Sequence, residues 1–153
     1  MIVQYSKTRQ NARTPQRANP SDAGLDVFFC PEASEAAGKW LTPGMSGLFS
    51  TGLKFGIPHG YMLEVKNRAS MAAKRSLVVG ACVIDSGYSG EVFINLHNIG
   101  REPQHIAPGE KIAQLVMTPV IHFSPQETQS ERLYSDPITI SDRGTGALGS
   151  TDE

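Results

Sequence analysis

Five short stretches of this chain carry side chains suited to holding anions or orienting water. In Val83-Ile84-Asp85-Ser86-Gly87-Tyr88-Ser89-Gly90, a carboxylate ends an apolar run and an aromatic ring sits at the tip of a turn. The glycines at 87 and 90 admit positive φ and close approach of another molecule. A carboxylate is ionised near neutral pH but is a weak base, so Asp85 would act mainly by aligning a water. Arg68-Ala69-Ser70-Met71-Ala72-Ala73-Lys74-Arg75 reads as one helical segment with Ser70 as N-cap and basic residues at its end. An arginine just ahead of a helix N-terminus makes a cradle for phosphate.

Asp26, in Ala23-Gly24-Leu25-Asp26-Val27-Phe28, stands among residues that belong inside and needs a partner there, either backbone amides or a functional cation. Gln114 interrupts the apolar run from Ile112 to Val120; it satisfies a buried backbone group or points at a ligand. Gly144 to Thr151 matches the phosphate-loop form G-x-x-x-x-G-K-[ST] except that Ser150 replaces the lysine, which removes the kinase or ATPase reading. Glycine amides, hydroxyls and Arg143 can still wrap phosphate oxygens, while a flexible Gly-rich terminus is the ordinary alternative.

The elements that must position these groups are mostly strands. Ile2–Tyr5, Gly47–Phe55, Tyr61–Lys66 and the alternating Val92, Ile94, Leu96 series read as strands, separated by Pro/Gly turns. Gly80 to Asn98 reads as a β-hairpin with Asp85 and Tyr88 in its turn. Helical periodicity is nearly confined to residues 68–75, so the class is an all-β sandwich or barrel. Trp40 is assigned to packing, and His97, His105 and His122 share no metal-ligand spacing. Residues 1–123 form the expected core, and residues 124–153 an arm.

With 153 residues the chain can bury a core without staples, and a net charge of -1 argues against stable nucleic-acid binding. Cys30 and Cys82 lack disulfide-framework or metal spacing and read as reduced thiols. No apolar run reaches membrane-spanning length and no signal-peptide h-region opens the chain, so a soluble, cytoplasmic protein without membrane contact is expected.

Taken together and in this order, the stretches resemble the five motifs of the trimeric dUTPase family: Ala23–Asp26, Arg68–Ala72, Gly80–Glu91, Pro108–Leu115 and Arg143–Thr151. The resemblance implies a jelly-roll-like homotrimer that hydrolyses dUTP to dUMP and pyrophosphate, with each active site shared between subunits. It implies that Asp85 activates the attacking water and that Tyr88 lies under the deoxyribose, excluding a 2'-hydroxyl. Main-chain groups at Val79, Val83, Ile84 and Phe93 would read uracil. Arg68, Ala69, Ser70 and Gln114 would hold phosphates, and Asp26 would help place Mg2+ through water. Arg143, Gly149, Ser150 and Thr151 would close over the terminal phosphate, with Leu148 covering the base.

Two residues depart from the family pattern. Ala69 replaces the usual Ser and removes one hydroxyl, and Leu148 replaces a Phe that stacks on the base, which predicts weaker arm closure. Three alternatives remain distinguishable: a dCTP deaminase on the same scaffold, a dUTP-binding regulator, and a structural jelly-roll subunit. The hydrolase form of Ile84–Tyr88 opposes the first, the paired presence of Asp26 and Asp85 the second, and the polar set at 68, 70, 85, 114 and 143 the third.

Overall fold

The computed structural model describes residues 1–133, and Arg143 and Leu148–Thr151 of the fifth motif lie outside them. In chain order the strands are β1 (Gln4–Lys7), β2 (Leu25–Phe28), β3 (Lys39–Leu41), β4 (Ser46–Ser50), β5 (Leu53–Gly56) and β6 (Tyr61–Lys66). Helix α1 (Ala69–Arg75) follows, then β7 (Leu77–Val79), β8 (Val83–Ile84), β9 (Phe93–Asn98), β10 (Gln104–Ile106) and β11 (Lys111–Pro119). The chain divides into two units, Met1–Ile121 and His122–Glu153; every described strand lies in the first. Among the described residues of the second unit, Ser130–Arg132 form a 3-10 turn.

Four strands in the order β2-β11-β6-β8 make one sheet and three in the order β4-β9-β7 make another, with β1-β5 and β10-β3 as two-stranded ribbons. Val27, Leu63, Val65 and Leu115 from the first sheet share one core with Phe49, Leu77, Ile94 and Leu96 from the second. The fold is therefore an all-β, jelly-roll-like sandwich. Alternation explains the packing of β9, where Ile94 and Leu96 are buried while Phe93 is exposed. The same rule on β3 buries Leu41 and turns Trp40 outward, 66% exposed, where its ring lies 5.0 Å from that of His105. Trp40 thus does not serve core packing.

Three further expectations change. Gly47–Phe55 breaks into β4 and β5. Gly80–Asn98 is not a two-stranded hairpin: β7 pairs with β9, the chain then leaves that sheet, and β8 pairs with β6 through Val83↔Glu64 and Ile84↔Leu63. Strand pattern reports which face is buried but not which neighbour supplies the hydrogen bonds, and two-residue β8 finds them in the other sheet. Finally, Arg68 and not Ser70 is the N-cap of α1, in extended conformation (φ -86°, ψ 134°), and Ser70 lies in the first turn.

Central strand β11 carries one irregularity with chemical consequences. Its register with β2 shifts between Lys111 and Ala113, and both Ile112 and Ala113 are buried. Strict alternation would send residues 111 and 114 to opposite faces of the sheet. A bulge absorbs one residue, so Lys111 and Gln114 both emerge beside Asp26.

Candidate active site

The expected site residues fall into two separate cavities. The first is an open cleft of about 520 Å³ whose lining includes Gly24, Asp26, Arg68, Ala69, Ser70 and Gln114. Asp26 is only 13% exposed in its side chain, with Arg68 Nε at 3.0 Å from one carboxylate oxygen and Lys111 Nζ at 2.7 Å from the other. Two cations against one carboxylate leave the trio net positive, which suits an incoming phosphate. Arg68 also donates to the Lys111 carbonyl at 3.3 Å, tying the head of α1 to the start of β11. In the first turn of α1, the amides of Ala69 and Ser70 precede Met71, the first amide to donate to the Arg68 carbonyl, and both residues line the cleft.

The far end of α1 is anchored as firmly. Ser76 closes it in the left-handed region at φ 53°, donating to the carbonyls of Ala72 and Met71. Arg75 binds the Glu110 carboxylate, Gln104 Oε1 at 2.8 Å and the His105 carbonyl at 2.6 Å. Gln114 donates to the Asn67 carbonyl at 2.8 Å, which settles its orientation along the cleft wall. Asn67 Oδ1 in turn accepts the amide of Val79 at 2.6 Å. Val79 lines neither of these two cavities.

The second cavity, of about 200 Å³, is lined by Val83, Ile84, Asp85, Tyr88, Glu91, Val92 and Phe93. The turn is closed by the Tyr88 amide donating to the Asp85 carbonyl at 3.2 Å. Gly87, at φ 137°, occupies a conformation that side chains rarely adopt. Tyr88 folds back over Gly90 and donates its hydroxyl to the Glu91 carbonyl at 2.8 Å, leaving the residue 47% exposed.

Behind this turn stands a cluster that sequence reasoning missed. The Glu91 carboxylate accepts from Thr8 Oγ1 at 3.0 Å, from both terminal nitrogens of Arg9 at 3.1 and 2.6 Å, and from the Gly52 amide at 2.8 Å. Arg9 also donates to the Cys30 carbonyl at 2.9 Å, and its Nε is buried without a partner. Burial works against the Arg9 charge, but its bonds to Glu91 and Cys30 outweigh it and raise the guanidinium pKa. The sign follows directly. A raised folded pKa stabilises the fold below the ordinary arginine value and loses effect only as pH rises through the raised one, so the contribution holds throughout the neutral range. No spacing signal joins residues 9 and 91, 82 positions apart.

No described residue lines both cavities, so the cleft beside Asp26 and the Asp85/Tyr88 turn are separate within one chain. The family model for dUTPase matches residues 10–151. This chain belongs to the dUTPase family. It is 33% identical over 151 residues to the deoxyuridine 5'-triphosphate nucleotidohydrolase of Chlamydia muridarum, covering 97% of both chains. It is 35% identical over 151 residues to that of Clostridium acetobutylicum, covering 97% of this chain and 95% of the relative. A solved mutant dUTPase of Staphylococcus bacteriophage 80alpha, with dUpNHpp, superposes with TM-score 0.79 at 26% identity over 98% of each chain. A phage phi11 dUTPase mutant described as coordinating a structural Mg(II) ion gives 0.73 at 26% identity, over 88% of this chain and 99% of that one.

The residues of this dUTPase-family member set limits on any metal. Among the described residues no group of three or more His, Cys, Asp or Glu converges. Both Asp26 oxygens are taken by cations. The described residues therefore do not fit a divalent ion held directly by protein ligands.

Proposed function

We propose that this protein hydrolyses dUTP to dUMP and pyrophosphate, and so limits uracil incorporation into DNA and supplies dUMP for dTMP synthesis. The observation that carries the reading is the division of the family motifs into a cationic cleft and an Asp85/Tyr88 turn. A nucleoside triphosphate has a matching division, with anionic charge at one end and a base and sugar at the other. Arg68, Ser70, Gln114 and the Ala69 amide bind the phosphates. Asp85 orients a water against the α-phosphorus, and alignment with charge neutralisation supplies most of the acceleration.

Tyr88 covers the deoxyribose, and main-chain groups at Val83, Ile84 and Phe93 read the uracil edge. Val79, whose amide is already engaged by Asn67, supports the strand behind them. Cytosine presents a donor where uracil presents an acceptor, a mismatch worth roughly 1 to 3 kcal/mol when buried. Bound Mg2+ would sit on the triphosphate oxygens and neutralise their charge, with Asp26 reaching it only through water.

As the family resemblance implies, the complete site is assembled in a homotrimer from different subunits, and the lack of a shared lining residue between the two cavities of one chain supports that reading. The first, second and fourth motifs come from one chain and the Asp85 turn from another. The arm at 124–153 comes from a third and closes with Arg143, Gly149, Ser150 and Thr151 over the terminal phosphate, while Leu148 covers the base. No helix among the described residues is long and apolar enough to cross a membrane, and a cytoplasmic location fits the proposed substrate.

The test is pyrophosphate release from dUTP, dTTP, dCTP and UTP, with Mg2+ or chelator, beside Asp85→Asn. Turnover confined to dUTP and abolished in the variant supports the hydrolase. Binding of dUTP without cleavage, or ammonia release from dCTP, overturns it.

A further inference from the structure

We propose that the Arg9–Glu91 pair is a positioning device that sets the pose of Tyr88 and thereby the discrimination against ribonucleotides; this rests on the dUTP reading above. Tyr88 has two restraints, its ring lying against Gly90 and its hydroxyl on the Glu91 carbonyl. Both belong to the two residues that follow the turn, so the ring goes where the backbone at 90 and 91 goes. That backbone is held from outside the turn. The Glu91 carboxylate is gripped by Thr8, Arg9 and Gly52, from two segments remote in sequence.

The next residue is held as well, since the Val92 amide donates to the Leu53 carbonyl and its carbonyl accepts from Thr51. Arg9 is itself fixed by the Cys30 carbonyl, which links the grip to the end of β2. The side chain of Glu91 is 12% exposed and that of Arg9 is 24% exposed, so water screens the pair only partly. Glu91 borders the Tyr88 cavity. With its acidic group turned to Arg9, its role lies in where it places the main chain.

A residue that acts only on stability would lower activity toward dUTP and UTP together. A residue that places the Tyr88 ring changes their ratio, because the ring alone meets the 2' position. The experiment compares kcat/KM for dUTP and UTP in the full-length protein and in Arg9→Ala, Glu91→Gln and Arg9→Lys, with thermal unfolding measured on each. Arg9→Ala and Glu91→Gln should lower the dUTP/UTP ratio by about tenfold. Arg9→Lys, which keeps the charge but not the forked pair of donors on the two Glu91 oxygens, should fall between the parent and Arg9→Ala.

In a Tyr88→Phe background, which removes the hydroxyl contact to Glu91, Arg9→Ala should cost clearly less than it does alone. An unchanged ratio in folded Glu91→Gln, or strictly additive effects with Tyr88→Phe, overturns the proposal while leaving dUTP hydrolysis intact. Absence of dUTP turnover in the parent protein overturns both.

Discussion

Asp26 is bound from both sides, with Arg68 Nε 3.0 Å from one carboxylate oxygen and Lys111 Nζ 2.7 Å from the other. The carboxylate holds two cations in position at the edge of the cleft. Asp26→Asn removes the only negative charge of this trio. Breaking a fully buried pair costs several kcal/mol, but Arg68 and Lys111 are 26% and 30% exposed, which reduces the loss to about 1–3 kcal/mol. At this chain length that lowers Tm by roughly 2–4 °C per kcal/mol. Added pyrophosphate should restore more Tm in the variant than in the parent, because the anion replaces the missing charge. Differential scanning fluorimetry with and without pyrophosphate checks both statements; equal shifts in the two proteins would remove Asp26 from the electrostatics of the cleft.

Gly24 faces Gln114 so closely that a methyl there would fall 1.8 Å from its Oε1 and 2.6 Å from its Cδ. Gly24→Ala must therefore drive the amide off the Asn67 carbonyl. Loss of one hydrogen bond to a charged phosphate costs about 1.5–3 kcal/mol, or about 10- to 150-fold in affinity. KM for dUTP should rise by that order with kcat little changed. Steady-state kinetics on the variant reads this, and a fall in kcat alone would place Gln114 at the reacting centre instead.

How much of this was legible in the sequence depends on the distance over which each feature is decided. The faces of β6 and β9 follow from alternation, and the burial of Leu63, Val65, Ile94 and Leu96 agrees with it. Asp26 announced itself as a carboxylate needing a partner, because that cost is local. The partners were not legible: Lys111 reaches Asp26 only because a bulge at Ile112–Ala113 resets the face on which it emerges. The sheet exchange of β8, the outward Trp40 and the grip of Arg9 on Glu91 are likewise decided by tertiary pairing. Ser70 was misread as a cap because a serine near a helix start satisfies the local rule, whereas the helix is capped two residues earlier, at Arg68.

Removal of divalent ions separates two roles that a metal can have. The described residues offer no converging ligand set, and Asp26 is already neutralised. A chelator should leave the Tm of the nucleotide-free protein within about 1 °C, since an ion that does not bind the folded chain cannot stabilise it. Pyrophosphate release from dUTP should fall by more than about tenfold in the same buffer, because the triphosphate loses its counter-charge. A large loss of Tm on chelation would point to a structural ion held by the protein.

Gly90 offers the sharpest separation of stability from selectivity. A methyl on this residue would fall 2.4 Å from the Tyr88 hydroxyl oxygen and 2.6 Å from Cζ, so ring and methyl cannot both stay. Gly90 is not among the positive-φ glycines, so alanine meets no backbone obstacle there. Tyr88 is 47% exposed, so its ring can swing into solvent and the clash costs about 1 kcal/mol, the low end for overpacking. Gly90→Ala should therefore keep its Tm within about 3 °C while the ring leaves the Glu91 carbonyl. The dUTP/UTP ratio of kcat/KM should then fall by about tenfold or more, mostly through a gain for UTP. If Tm drops steeply and the ratio holds, the backbone has yielded before the ring, and the pose of Tyr88 is fixed more strongly than its hydroxyl contact and Gly90 packing imply.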